Sequence, residues 1–204
     1  MTIRLLASGE LDDAAALLEL GEVLAVPTDT VYGLAALLTN RAAVARLSVL
    51  KGRLQSVPVA VLCATPDDAR RLSSSWPPAA SVLSLALWPG PLTLVVPAPL
   101  DLAVRVGATD SVGVRVPDDA ICRALLERTG PLAVTSANLH GAEPAMSADD
   151  VIAAFAGAGL AGVLDGGRRD GAVSSVVDVT GAAPVVVREG AIARDGLLAL
   201  LRGG

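Results

Sequence analysis

The chain has 204 residues and a formal charge of −5, a length at which one large domain is expected rather than two. With 52% hydrophobic and 18% charged residues, it has material for a sizeable core, which excludes disorder. There is no overall positive field to draw in nucleic acid, and Trp76, Trp88, Tyr32 and Phe155 are too few for an aromatic base-stacking platform.

The amino terminus, with Arg4, meets acidic residues before any apolar run of signal-peptide length develops. The segment SGELDDAAALLEL predicts a helix capped by Ser8, with acids in its first turn and Gly21 after its end. EVLAVP, ending at Pro27, is a short buried strand. Asn40 caps a helix over RAAVARLSVL that stops at Gly52, and VPVAVLC follows as a strand. Thr65 caps the next helix, with Pro66 at its first position. No charge occurs from Leu72 to Leu100, a length sufficient to span a bilayer. However, Pro77, Pro78, Pro89, Pro91, Pro97 and Pro99 would break a continuous helix there. That stretch is expected as buried loop, helix and strand in a soluble, cytoplasmic protein.

TLVVP and VGVRV predict strands, and PDDAICRALLERTG a helix closed by Gly130. LAVT is a strand, SADDVIAAF a capped helix, VLD, SSVVDV and PVVVR are strands, and a last helix lies near Leu197–Leu201. Such alternation predicts a single α/β or α+β domain over 1–204 with mixed strand order.

Four stretches carry polar chemistry. PTDTVYG at 27–33 sets Thr28, Asp29, Thr30 and Tyr32 at the carboxyl end of a strand, where open α/β sheets bind ligands. KGR at 51–53 holds the one lysine among fifteen arginines. Lys51 and Arg53 are either helix-end cations favoured by the dipole or a phosphate clamp. TSAN at 135–138 offers Ser136 and Asn138, which face one way if the chain is extended. They can orient a ligand, and the one histidine, His140, supports no hydrolase triad spacing. Arg115, in VGVRV, and Arg188, closing PVVVR, each need an anionic partner on a strand. Asp165, Asp178 or a ligand phosphate can supply it. DGGRRDG at 165–171 matches no phosphate-loop spacing and reads as a turn. Cys63 and Cys122 sit in no metal-ligand spacing and are expected as small core residues. A cleft of separated cations, hydroxyls and an amide, without a general base, suits a polyanion such as a nucleoside triphosphate.

PTDTVYGL, LKGR, LWPGPLTLVV, VGVRVPD, TSANLHG, SSVVDVT and VVVREGAI, in that order, resemble the YrdC-like family. Its bacterial single-domain members are threonylcarbamoyl-AMP synthases. The resemblance implies a twisted, mostly parallel mixed α/β sheet, flanked by helices, with a large concave cleft. It implies a nucleotidyltransferase that makes threonylcarbamoyl-AMP and pyrophosphate from L-threonine, bicarbonate and ATP, for tRNA modification. Carried across, it assigns Lys51, Arg53, Ser111, Asn138 and Arg188 to the nucleotide. It assigns Thr30, Arg115, Ser136 and Ser174 to threonine. Lys51 and Arg53 stabilise charge at the α-phosphorus, and Mg2+ is held mainly by phosphates and water. Protein partners in tRNA modification are implied too.

Departures from the family pattern are Val57 for Asn, Leu62 for His, Met146 (beside Ser147) for a hydroxyl, Val173 for an acid and Glu189 for Pro. They keep two alternatives open: a YciO-like paralogue acting on a related adenylate, and a non-enzymatic RNA-binding module.

Overall fold

A computed structural model describes residues 2–52 and 57–202. Short apolar strands and capped helices succeed one another as β1 (Arg4–Leu6), α1 (Leu11–Glu19), β2 (Leu24–Val26), β3 (Gly33–Leu37), α2 (Arg41–Leu50), β4 (Ala60–Leu62), α3 (Pro66–Arg71) and α4 (Pro78–Leu87). After these come β5 (Leu92–Pro97), α5 (Leu100–Arg105), β6 (Ser111–Arg115), α6 (Ala120–Thr129) and β7 (Leu132–Ser136). The chain continues with α7 (Ala148–Phe155), β8 (Gly162–Leu164), β9 (Ser175–Asp178), β10 (Val185–Arg188) and α8 (Arg194–Arg202).

Local capping chemistry explains most helix starts. Asn40, Asp119 and Ser147 each accept a backbone N–H of their own first turn, and Thr65 with Asp68 forms a reciprocal capping box. Ser8 does not cap α1. A turn closes first, with Glu10 N bonded to Ala7 O at 2.9 Å, so Glu10 takes the cap position and its carboxylate receives the Ala7 N–H. Gly21 follows α1 at φ +85°, a conformation that side chains with a Cβ avoid.

All ten strands join one sheet in the order β1-β8-β2-β3-β7-β4-β6-β5-β9-β10. The mixed α/β sheet expected from the sequence is present. Its parallel share is smaller than the resemblance implies: of nine neighbouring pairs, four are parallel and five antiparallel. Two of the five come from β3, which pairs antiparallel with both β2 and β7. Its sequence GLAAL has no strand-like alternation, and pairing on both sides fixes its conformation.

Alternation along each strand divides the core in two. Leu24, Val26, Leu132 and Val134 face α1 and α6, where they meet Leu18, Leu125 and Leu126. Val23, Ala25, Val61, Ala133 and Leu94 face the opposite way, into a larger layer containing Leu47, Leu83, Leu102, Phe155 and Leu197. The uncharged stretch from 72 to 100 resolves into α4 and β5 with connecting turns. Among the described residues, no helix is long and apolar enough to cross a membrane.

Candidate active site

The helices α1 and α6 cover only part of their face of the sheet. Beyond them, β4, β5, β6 and β9 present alternate residues to an open cleft of about 440 Å³. Ala60 and Leu62, Thr93 and Val95, Gly113 and Arg115, and Val176 form its floor, with Thr30, Ser136, Ser174 and Arg188 around it. The floor residues of β4, β5 and β6 are every second residue of their strands, as period-two geometry requires, whereas Thr30 comes from the turn between β2 and β3 and Ser174 directly precedes β9.

Ser136 ends β7 and pairs with Gly33, which brings the TSAN turn beside PTDTVYG. The turn is fixed by Ala137 N donating to Tyr32 O at 2.8 Å. Ser136 and Asn138 do meet: Ser136 Oγ donates to Asn138 Oδ1 at 2.6 Å, directed to the amide and not to the exposed His140. Lys51, at the carboxyl end of α2, is only 4% exposed. Its Nζ donates to Ser136 O (2.6 Å), Ser136 Oγ (3.2 Å) and Asn138 Oδ1 (2.6 Å). A cation serving only the helix dipole needs no such burial. Among the described residues Ser136 lines the cleft, and Lys51 and Asn138 are bonded to it. Arg53 lies outside the described residues.

Among the described residues, Arg115 is the other buried cation, 5% exposed, on β6. Neither Asp165 nor Asp178 is its partner. Asp165 accepts Gly167 N and Tyr32 Oη, and Asp178 accepts the Thr180 N–H and hydroxyl, each closing its own turn. Arg115 Nη2 instead meets Asp29 Oδ1 at 2.6 Å, its Nη1 donates to Thr30 Oγ1 at 3.1 Å, and its Nε donates to Gly90 O at 3.0 Å. Burial pulls the Arg115 pKa down from its usual value, and Asp29 works against that fall. The hydroxyl of Thr28 links to Thr30 Oγ1 at 2.9 Å and donates to Val31 O, so the whole polar turn is tied to Arg115.

Arg188, at the end of β10, is bound differently. Its Nε donates to Ser174 O at 3.0 Å and its Nη2 to Ser174 Oγ at 3.1 Å. Ser174 Oγ also bonds Thr93 Oγ1 at 3.0 Å. Among the described residues, no carboxylate forms an ion pair with Arg188. Partial burial lowers its pKa as well. Ser111 lines the cleft at the start of β6, half-buried.

The segment 165–171 is more than a turn. Tyr32 Oη donates to Gly167 O at 2.9 Å and accepts Gly166 N at 3.0 Å, while Arg169 pairs with Asp119 at 2.9 Å. This strap crosses the PTDTVYG turn so closely that a Cβ on Gly171 would lie 2.8 Å from Thr30 Cα. Of the departures, Val57, Leu62 and Val173 line the cleft. Met146 and Ser147 do not line it among the described residues, and Ser147 serves as the cap of α7. Cys63 and Cys122 are buried thiols, with burial pushing Cys122 up to about 12.

A family model described as Sua5, YciO and YrdC, "Telomere recombination", matches residues 16–190. The chain belongs to this Sua5/YciO/YrdC family. A Bacillus subtilis relative named threonylcarbamoyl-AMP synthase is 37% identical over 196 residues, covering 94% of this chain and 56% of the relative. A Mycobacterium tuberculosis relative is 36% identical over 190 residues, covering 92% of this chain and 87% of its own. The crystal structure of P. abyssi Sua5 complexed with L-threonine superimposes with a TM-score of 0.91 at 32% identity, over 98% of this chain and 61% of that one. E. coli YciO, with a TM-score of 0.82 at 23% identity, shares the fold. The chain thus spans little more than half the length of the Bacillus subtilis relative and of Sua5.

Proposed function

We propose that the chain is a threonylcarbamoyl-AMP synthase, forming that adenylate and pyrophosphate from L-threonine, bicarbonate and ATP. One observation carries the reading: three separately built polar groups, Ser136 with Lys51 and Asn138, Thr30 with Arg115, and Ser174 with Arg188, surround a single cleft. The same fold holds L-threonine in P. abyssi Sua5.

Threonine's neutral amine attacks the bicarbonate carbon, forming an N–C bond and releasing water, which leaves a carbamate. A carbamate oxygen then attacks the α-phosphorus, and the bond to the β-phosphate oxygen breaks to free pyrophosphate. The cleft offers cations and hydroxyls, so catalysis rests on positioning and charge neutralisation. Arg115, Thr30 and Ser174 orient the amino acid, with Ser136 near the reacting centre. Arg188, Ser111, and the Lys51–Asn138 pair acting through Ser136, receive the nucleotide, together with Arg53. This donor set of hydroxyls and cations suits a magnesium ion carried on phosphate oxygens and water rather than one held by carboxylates. The labile product passes to a protein partner that modifies tRNA, which puts the chain in the cytoplasm.

The test is pyrophosphate release with ATP present and threonine and bicarbonate omitted in turn. Release that needs both supports the synthase. Equal ATP turnover without threonine overturns it and leaves a YciO-like reaction on a related adenylate.

A further inference from the structure

Two arginines face the cleft, and the structure treats their charges in opposite ways. Arg115 is buried against Asp29, with Nη2 and Oδ1 2.6 Å apart. Among the described residues, Arg188 bonds only the neutral oxygens of Ser174. Asp29 is not among the described residues that line the cleft, and its ion pair is with Arg115, which does line it. Arg115 spends Nε on Gly90 O and one N–H of each terminal nitrogen on Thr30 and Asp29, which leaves two of its five N–H groups for a ligand. Those two donate from a guanidinium whose charge is already matched.

We propose that Asp29 sets the ligand class at the Arg115 end of the cleft: by neutralising Arg115, it reserves that niche for a ligand of no net charge, a zwitterionic amino acid, and keeps phosphate groups at the Arg188 end. The inference rests on the placement of the amino acid beside Arg115 proposed above. A matched ion pair exerts little net field, whereas a lone guanidinium in a desolvated site selects anions strongly. Arg188 is near enough for its charge to oppose that of Arg115. Without Asp29, the two guanidiniums would share one uncompensated field, a pairing suited to a phosphate dianion. Asp29 is therefore a positioning and charge-balancing residue, without contact to the reacting atoms.

The experiment is calorimetric titration of inorganic phosphate, and separately of L-threonine, into the wild-type chain, Asp29→Asn and Asp29→Asn/Arg115→Gln. Asparagine keeps the shape and one acceptor oxygen but removes the charge. Asp29→Asn is expected to bind phosphate about tenfold more tightly and threonine about tenfold more weakly, and the second substitution is expected to erase the phosphate gain. Phosphate affinity unchanged in Asp29→Asn, with threonine binding weakened or not, overturns the inference and makes the ion pair a purely structural tie. If Asp29→Asn does not fold, Asp29→Ser takes the same titration, and Asp29→Glu, which retains the charge, must keep phosphate weak. A phosphate gain in a chain whose wild type binds no threonine would leave the charge argument standing and sink the synthase reading.

Discussion

Replacing Lys51 with methionine separates the two roles open to a lysine at a helix end. The substitution keeps the apolar stem and removes an ammonium that is 4% exposed and bonded at 2.6 Å to both Ser136 O and Asn138 Oδ1. Each hydrogen bond involving a charged group contributes about 1.5–3 kcal/mol, and each acceptor left bare in the interior costs about 1–3 kcal/mol. Against this stands the relief of no longer burying a charge, several kcal/mol by itself. Asn138 Oδ1 retains Ser136 Oγ as a donor, whereas Ser136 O loses the ammonium. The balance is a loss of about 2 kcal/mol. For a chain of this size that lowers Tm by roughly 4–8 °C. Thermal unfolding with and without ATP is the assay. Lys51→Met should melt earlier and should also lose most of the stabilisation that ATP confers. A Tm within a degree of wild type would mean that the three bonds contribute nothing and that the ammonium is a solvated helix-end charge after all.

Breaking the Asp29–Arg115 pair from one side strands a buried charge, so Arg115→Gln should cost about 3–5 kcal/mol and the double substitution with Asp29→Asn should recover part of it, as read by urea unfolding. Ser174→Ala removes the hydroxyl shared by Arg188 and Thr93; it should raise the KM for threonine about tenfold, equivalent to ~1.4 kcal/mol, with Tm shifted by less than for Lys51→Met. Burial raises the Cys122 pKa to about 12 in the folded chain, above its unfolded value. The stability this thiol contributes is thus complete below the unfolded pKa and is lost as pH rises towards 12. Cys122→Ala should flatten the alkaline fall of Tm, although buried Cys63 and Tyr32, also raised, will keep part of it. Alkylation of either cysteine by iodoacetamide at pH 8 without denaturant would contradict this picture.

What was legible in the sequence was local. Asn40, Thr65 and Ser147 announced their helices because a cap and its partner lie three residues apart. Ser136 and Asn138 were expected to face one way on an extended chain; they do meet, but across a turn that follows the end of β7 at Ser136. Of the residues assigned on the resemblance, Thr30, Ser111, Arg115, Ser136, Ser174 and Arg188 line one cleft, Lys51 and Asn138 are bonded to Ser136, and Arg53 lies outside the described residues. Hidden were the contacts that depend on topology. Asp29 and Arg115 are 86 residues apart, and no spacing rule connects them. Asp165 and Asp178 were better candidates by strand position, yet each is consumed by its own turn. Arg169 read only as part of a turn and is clamped to Asp119. Helix capping is encoded within one turn of chain, whereas charge pairing across a sheet is decided by strand order, which the local pattern leaves open.

Strand order also explains why the polar residues could be kept at low cost in stability. In VGVRV, Val112, Val114 and Val116 pack into the larger apolar layer, while Ser111, Gly113 and Arg115 look into the cleft. A one-residue slip of β6 would bury Ser111 and drive Val114 into the ligand space, so the apolar face fixes the register of the functional one. The neighbouring pairs Ala60↔Gly113 and Leu62↔Arg115 carry the same phase across β4. Leu62 thereby becomes both a wall of the cleft and a member of the α6 core. That dual membership accounts for how an apolar residue is accommodated where the family pattern has histidine: packing in the α1 and α6 core stabilises it.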